Sequence, residues 1–149
     1  MNLVYWLGTL AFVFSLSAQA QGAEETQVSA ELTALEAQLR GVLEENVRAA
    51  NAEDAVGYLL TLHFESPVYG VTQDVLTPQF ETYDFAYKLL DFHLLSLDGE
   101  YAVGRGSQQI VKLRGPAFED STTDALYVFR QEAGAWKLWQ QSPLETRYP

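Results

Sequence analysis

The chain carries two histidines, His63 and His93, and no cysteine. Histidine titrates near neutrality, so either could act as a general base or as a donor to a ligand. His63 closes a helical pattern, where its plainer role is a hydrogen bond to nearby backbone. His93 stands mid-strand beside Phe92 and Leu94, and alternation puts it on one face with Asp91 and Leu95. No H-x-H or H-E-x-x-H spacing joins the two, so neither a metal nor any other cofactor is expected. Tyr69, Tyr83 and Tyr87 supply phenols, and Asp74, Asp84, Asp91 and Asp124 supply carboxylates. A carboxylate base facing an acidic donor in a dry pocket would be a proton-transfer site. Arg105, Ser107 and Gln109 share one strand face by period two. Turned inward they could hold a carboxylate or amide; turned outward they meet solvent or a partner, and Gly104 and Gly106 opposite tip the reading outward. Trp136 and Trp139 fall on opposite faces of one strand, so one of them points away from the core, a hint of dimerisation through a sheet. Gly104-Arg105-Gly106 lacks the strand–turn–helix setting that a phosphate loop needs.

The elements that must position these groups follow from pattern. Val28, Leu32, Leu35, Leu39 and Val42 recur at spacings of three and four, which predicts a long helix over about 29–50. Asn51 can cap a second helix that stops near His63, before Ser66-Pro67. Val68-Tyr69 reads as a short strand. Thr72-Gln73-Asp74 offers the cap of a third helix, short or broken at Pro78, through about Tyr83. Strands are expected over 85–97, 101–114, 122–132 and 136–141, with hairpin turns at Asp98-Gly99 and Ala133-Gly134. Helices first and consecutive hairpin strands afterwards mean α+β with an antiparallel meander.

The 149 residues allow one domain, and 48% hydrophobic residues suffice for a core. Nine basic against twenty acidic residues give a net charge of −11. That balance disfavours nucleic acid and anionic membrane surfaces as partners. Without cysteine there is no disulfide, thiol catalysis or lipid attachment through Cys. The apolar run from Leu3 to Leu16 ends in Ser17-Ala18-Gln19-Ala20, an export signal over residues 1–20 with cleavage after Ala20. Residues 21–28 then form a flexible lead-in to a domain over 29–149. Export to a periplasm or the cell exterior follows, with no membrane attachment after cleavage.

The order of phrases resembles the nuclear transport factor 2-like (SnoaL-like) superfamily. The step Ala49-Ala50-Asn51-Ala52-Glu53-Asp54, the segment Phe64-Glu65-Ser66-Pro67-Val68-Tyr69, the hairpin from Leu97 to Val103 and the ending Gly134 to Gln140 are similar to its members. The resemblance implies a cone: a curved antiparallel sheet wrapped around a long N-terminal helix, with two shorter helices and a pocket inside. His63, Tyr69, Tyr83, His93, Arg105, Gln109 and Trp139 are the candidate lining of that pocket. Its implied occupant is a small, partly apolar molecule, and the implied assembly is a homodimer through the sheet. The superfamily holds both binders and cofactor-independent enzymes (isomerases, dehydratases, cyclases), so fold alone does not choose between them. The expectation here is a ligand-binding or interaction module without catalysis.

Overall fold

The structure, a computed structural model, describes residues 14–149. The export signal expected over 1–20 lies outside the described residues, apart from the helical backbone of 14–20. The chain divides into two compact units, Met1–Ala34 and Leu35–Pro149. Helix α1 spans Phe14–Asn51, beginning well before the predicted residue 29. The segment 21–28, expected as a lead-in, is therefore helical; its Ala, Glu and Gln residues are good helix formers, and only Gly22 opposes them. In the first unit, side chains from Gly22 onward are exposed. Bonds link its successive turns: Thr26 Oγ1 donates to Gly22 O at 2.7 Å, and Gln27 Nε2 to Glu31 Oε1 at 3.1 Å.

The second unit buries one face of the end of α1, through Leu39, Leu43, Asn46, Ala49 and Ala50. Helix α2, Ala55–Leu60, is capped by Asp54, whose Oδ1 accepts from Gly57 N at 2.8 Å. Asn51, expected as that cap, instead pairs with a strand. It accepts from Tyr87 N at 2.7 Å and donates to Tyr87 O at 2.9 Å. The short strand expected at Val68-Tyr69 is absent, because Ser66 turns the chain there. Its carbonyl accepts from Tyr69 N at 3.1 Å and its Oγ from Val68 N at 3.2 Å. Helix α3, Tyr69–Thr82, starts from that turn and continues through Pro78. A proline removes one helical hydrogen bond, which a helix of fourteen residues tolerates here.

Four strands follow as an antiparallel meander in sequence order: β1 Asp84–Asp98, β2 Tyr101–Arg114, β3 Ser121–Glu132 and β4 Ala135–Arg147. The four strands predicted after residue 84 and both hairpin turns are present. Strand β4 runs past Ser142-Pro143, where it was expected to stop, because an edge strand accommodates a proline whose missing N–H would face solvent. Register shifts leave Leu90 and Leu95 of β1, and Trp139 and Leu144 of β4, without partners across the ladder. Each extra residue bends its strand and adds twist, so the sheet curves. The concave side packs Phe92, Ala102, Ala125, Tyr127, Phe129 and Leu138 against Leu39 and Leu43 of α1.

Gly104 and Gly106 face this core, and a Cβ on Gly104 would collide with the Phe92 ring. The glycines are thus explained by close approach, and the bulges lie elsewhere.

Gly104→Ala should cost about 1–3 kcal/mol through that collision. Gly41→Ala, on an open face of α1, should gain roughly 0.5–1 kcal/mol. Urea midpoints measure both, and effects of equal sign would contradict the packing described. Asn51→Ala, which loses both bonds to Tyr87, should cost about 1–2 kcal/mol in the same assay.

Candidate functional site

Five elements deliver polar groups to the concave side of the sheet. Helix α1 contributes Asn46, which is buried, and its Nδ2 donates to Thr61 Oγ1 at 2.7 Å. Thr61 in turn donates to the Tyr58 carbonyl at 2.7 Å, which fixes the end of α2 and the Tyr58 ring above it. From α3, Gln79 Nε2 donates to the Tyr87 hydroxyl of β1 at 2.9 Å. Strand β3 contributes Tyr127, only 2% exposed, whose hydroxyl has no hydrogen-bond partner among the described residues. Tyr127 edges onto Phe92 with ring centres 6.3 Å apart.

Burial pushes all three phenols up. The Tyr58 hydroxyl is raised by desolvation, with Asn46 opposing. Tyr87 is pushed to about 12 by burial and by the neighbouring Tyr58, against the Gln79 bond. Tyr127 is pushed to about 12 by burial first, then by Tyr58 and the carboxylates of Asp124 and Asp91. At neutral pH these groups are uncharged hydrogen-bond donors.

A groove of about 500 Å³ opens beside this cluster, with Val75, Pro78, Gln79 and Thr82 of α3 along one wall and Tyr83, Phe85 and Phe118 along the other. Tyr83 and Phe85 stack at 5.0 Å, Phe85 lies 4.7 Å from Phe118, and its edge meets Tyr87 at 5.8 Å. Gly115 makes this wall possible. It adopts φ +122°, and a Cβ there would lie 2.6 Å from the Tyr83 ring. The loop it opens is held by Lys112 N donating to Asp120 Oδ1 at 2.8 Å, and it carries Phe118 onto Phe85.

The seven predicted lining residues do not converge. Tyr83 lines the groove, and Tyr69 packs beside the core. His63 and Trp139 meet at the β4 edge, ring centres 5.1 Å apart. There His63 is 3% exposed, its N–H donates to Leu138 O at 2.9 Å, and its Nδ1 accepts from Glu65 N at 3.1 Å. His63 is a joint between the helices and the sheet, beyond the end of α2 and not on its face.

Trp139, the bulged residue, packs edge-on to Tyr101 and under the Arg130 guanidinium at 5.0 Å. Trp139 thus lies on the face opposite Trp136, which packs on the core, as alternation expects, and its ring is covered by residues of its own chain. His93, Arg105 and Gln109 fall on the convex face, opposite Gly104 and Gly106. The His93 side chain is 73% exposed, and Arg105 is committed to Asp124, whose carboxyl it holds below the usual range. Tyr58, Gln79 and Tyr127 were not among the expected residues. Tyr127 was accessible, since period two puts it with Ala125 and Phe129.

The three-helix-plus-meander architecture is that of the NTF2-like superfamily. Residues 41–148 match the family described as Anti-sigma-I factor RsgI9, C-terminal domain, and the chain belongs to that family. Among solved structures, it is similar to an NTF2-like family protein from Streptomyces avermitilis, with 18% identity and TM-score 0.60, covering 76% of this chain and 98% of that one. It is also similar to an NTF2-like protein with a cystatin-like fold from Novosphingobium aromaticivorans, at 14% identity and TM-score 0.58, covering 79% and 87%. The beta subunit of a benzoate 1,2-dioxygenase from Burkholderia mallei matches at 12% identity and TM-score 0.59, covering 72% and 87%. These likenesses establish the fold. No curated protein matches the chain.

The raised phenols give the protein an alkaline signature. Above pH 10 the unfolded phenols ionise while Tyr87 and Tyr127 keep their protons to about 12. The folded state then binds more protons, so the stability they contribute is fully present below pH 10 and lost as pH rises to about 12. Thermal midpoints across that range, beside near-ultraviolet phenolate absorbance, should show the loss. It should shrink in a Tyr87→Phe/Tyr127→Phe double variant.

Proposed function

We propose that the chain is a binding module whose cone takes a small, partly apolar ligand without transforming it. The observation that carries this reading is the Tyr127 hydroxyl, a donor deep in the fold with no partner among the described residues. Leaving a buried donor unbonded costs on the order of 1–3 kcal/mol, and a ligand oxygen would recover it.

The chemistry around Tyr127 favours binding over turnover. Phenols held near 12 donate hydrogen bonds but do not exchange protons at neutral pH, and the cluster adds only an amide pair and a hydroxyl. A cofactor-independent enzyme would need a base poised near neutrality beside them. The family takes its name from a domain of an anti-sigma factor, a binding protein by name, which supports the same choice. The reading also includes export directed by residues 1–20, and pairing of two copies through the convex face. Half-buried Val103, Leu126 and Val128 form an aliphatic strip there.

Native mass spectrometry of the protein purified from its own host tests this directly. The expected result is an added mass that leaves on denaturation and is depleted in Tyr127→Phe, whose thermal midpoint should be unchanged or higher. A clean chain mass in both would favour a cone filled by its own side chains. A monomer would remove the pairing through the sheet.

A further inference from the structure

We infer that the outer surface around Phe118 docks an extended, proline-bearing, cationic peptide segment of a partner protein. The inference stands apart from the ligand reading, because neither Tyr58 nor Tyr127 lines this surface. Two hollows meet at Phe118: the groove of about 500 Å³, and a second of about 430 Å³ that Ala117, Glu119 and Tyr148 help to line. Together they make one trough, from Val75 and Pro78 of α3 across Phe118 to Tyr148. Val75, Phe118 and Tyr148 are exposed, so a guest keeps one side in water. A small molecule is ordinarily enclosed over most of its surface, whereas an extended chain rests in an open trough and sets side chains into successive hollows.

The polar groups narrow the kind of chain. Gln79 Nε2 is held by the Tyr87 oxygen, Thr82 Oγ1 by the Pro78 carbonyl at 2.7 Å, and Lys112 Nζ by the Pro116 carbonyl at 2.9 Å. Three side chains that could answer the backbone of a guest strand are therefore already occupied. A polyproline II segment needs no such answer, since its backbone stays in water and its proline rings pack on aromatic faces. Tyr83, Phe85, Phe118 and Tyr148 supply those faces.

Charge sets the sign of the partner. Residues 74–85 and 112–120, which build most of the trough, carry five acids (Asp74, Glu81, Asp84, Glu119 and Asp120) against two bases, Lys112 and Arg114. Lys112 is held at Pro116, and Arg114 stands opposite Asp84 in the ladder. Arg147, beside Tyr148, is paired with Glu145. Asp74, Glu81 and Glu119 are exposed. Lys or Arg beside the prolines would meet these carboxylates, and a guanidinium would also find ring faces. A second copy of this chain, at net charge −11, would bring like charge to the same rim.

Nuclear magnetic resonance titration of the isotopically labelled chain tests this with synthetic peptides of about twelve residues, or four polyproline II turns. One repeats Pro-Leu-Pro-Arg, a second replaces Arg with Glu, and a third replaces Pro with Gly. The first should shift Tyr83, Phe85, Phe118 and Tyr148, and should weaken as salt is added. The glutamate peptide should bind about tenfold more weakly. The glycine peptide should bind about fivefold more weakly, because a flexible chain loses more entropy on docking. Phe118→Ala should cost about tenfold in affinity. Glu81→Gln/Glu119→Gln leaves the rings untouched and the thermal midpoint nearly unchanged; it should cost about fivefold and flatten the salt dependence.

Equal binding of the arginine and glutamate peptides would overturn the cationic class, and equal binding of the glycine peptide would overturn the polyproline II mode. Failure of every peptide to bind, or shifts confined to other faces, would overturn docking here. Shifts of the same residues on raising protein concentration alone would give the surface to a second copy and overturn the peptide. None of these outcomes touches Tyr127, whose ligand is read separately by added mass.

Discussion

A four-stranded open sheet has two free edges, and in this protein the helical half of the chain closes both. On the β1 edge, Arg40 donates to Phe92 O at 2.6 Å, Glu36 accepts from Leu94 N at 2.8 Å, and Asn51 makes both bonds to Tyr87. Side chains of α1 thus stand in for a fifth strand. On the β4 edge, the segment after α2 pairs directly: His63 N donates to Leu138 O and Leu138 N donates to Thr61 O, each at 2.9 Å. Ser66 Oγ adds a bond to Trp139 O at 2.6 Å. Unpaired edges invite aggregation, and satisfying them internally removes that hazard. It also pins the helices across the concave face. The polar cluster follows from this constraint, because Asn46 of α1 meets Thr61 at the end of α2 only where the helices are held against the sheet.

Curvature supplies the other half of the site. Leu90, Leu95 and Leu144 are bulged and exposed, so each strand bends without spending a core position. On the inner face, glycine at 104 and 106 lets Phe92 sit flat on β2, which leaves depth for Tyr127 on β3. Large rings are placed where the backbone has been cleared for them. The Tyr127 ring packs edge-on to Phe92 there, and its hydroxyl is enclosed without a partner among the described residues.

The helices-then-meander order and the hairpin turns were legible in the sequence because each is encoded within a few residues. Local encoding also explains the failures. Asn51 has the chemistry of a helix cap and equally that of a surrogate strand residue, and only the distant Tyr87 decides between them. Val68-Tyr69 looks extended by composition, but Ser66 captures the turn. The candidate site was least legible of all. Tyr58, Gln79 and Tyr127 come from three elements far apart in the chain and form no spacing motif. The residues that did attract attention, His63 and Arg105, proved to be occupied by backbone and by Asp124.

Surface and interior chemistry both bear on the proposed binding of a small molecule. The chain carries a net charge of −11, whose field disfavours the approach of anions. Several of its cations are already engaged: Arg48 with Glu45, Arg105 with Asp124, Arg130 with Glu65 and Arg147 with Glu145. An anionic ligand at any of these four arginines would have to displace its carboxylate. A cation would find rings to stack on, but the free group inside is a donor, which repels it. A neutral molecule with an accepting oxygen satisfies that donor without disturbing any ion pair. The acidic surface and the uncharged interior thus support the same proposal, a neutral ligand.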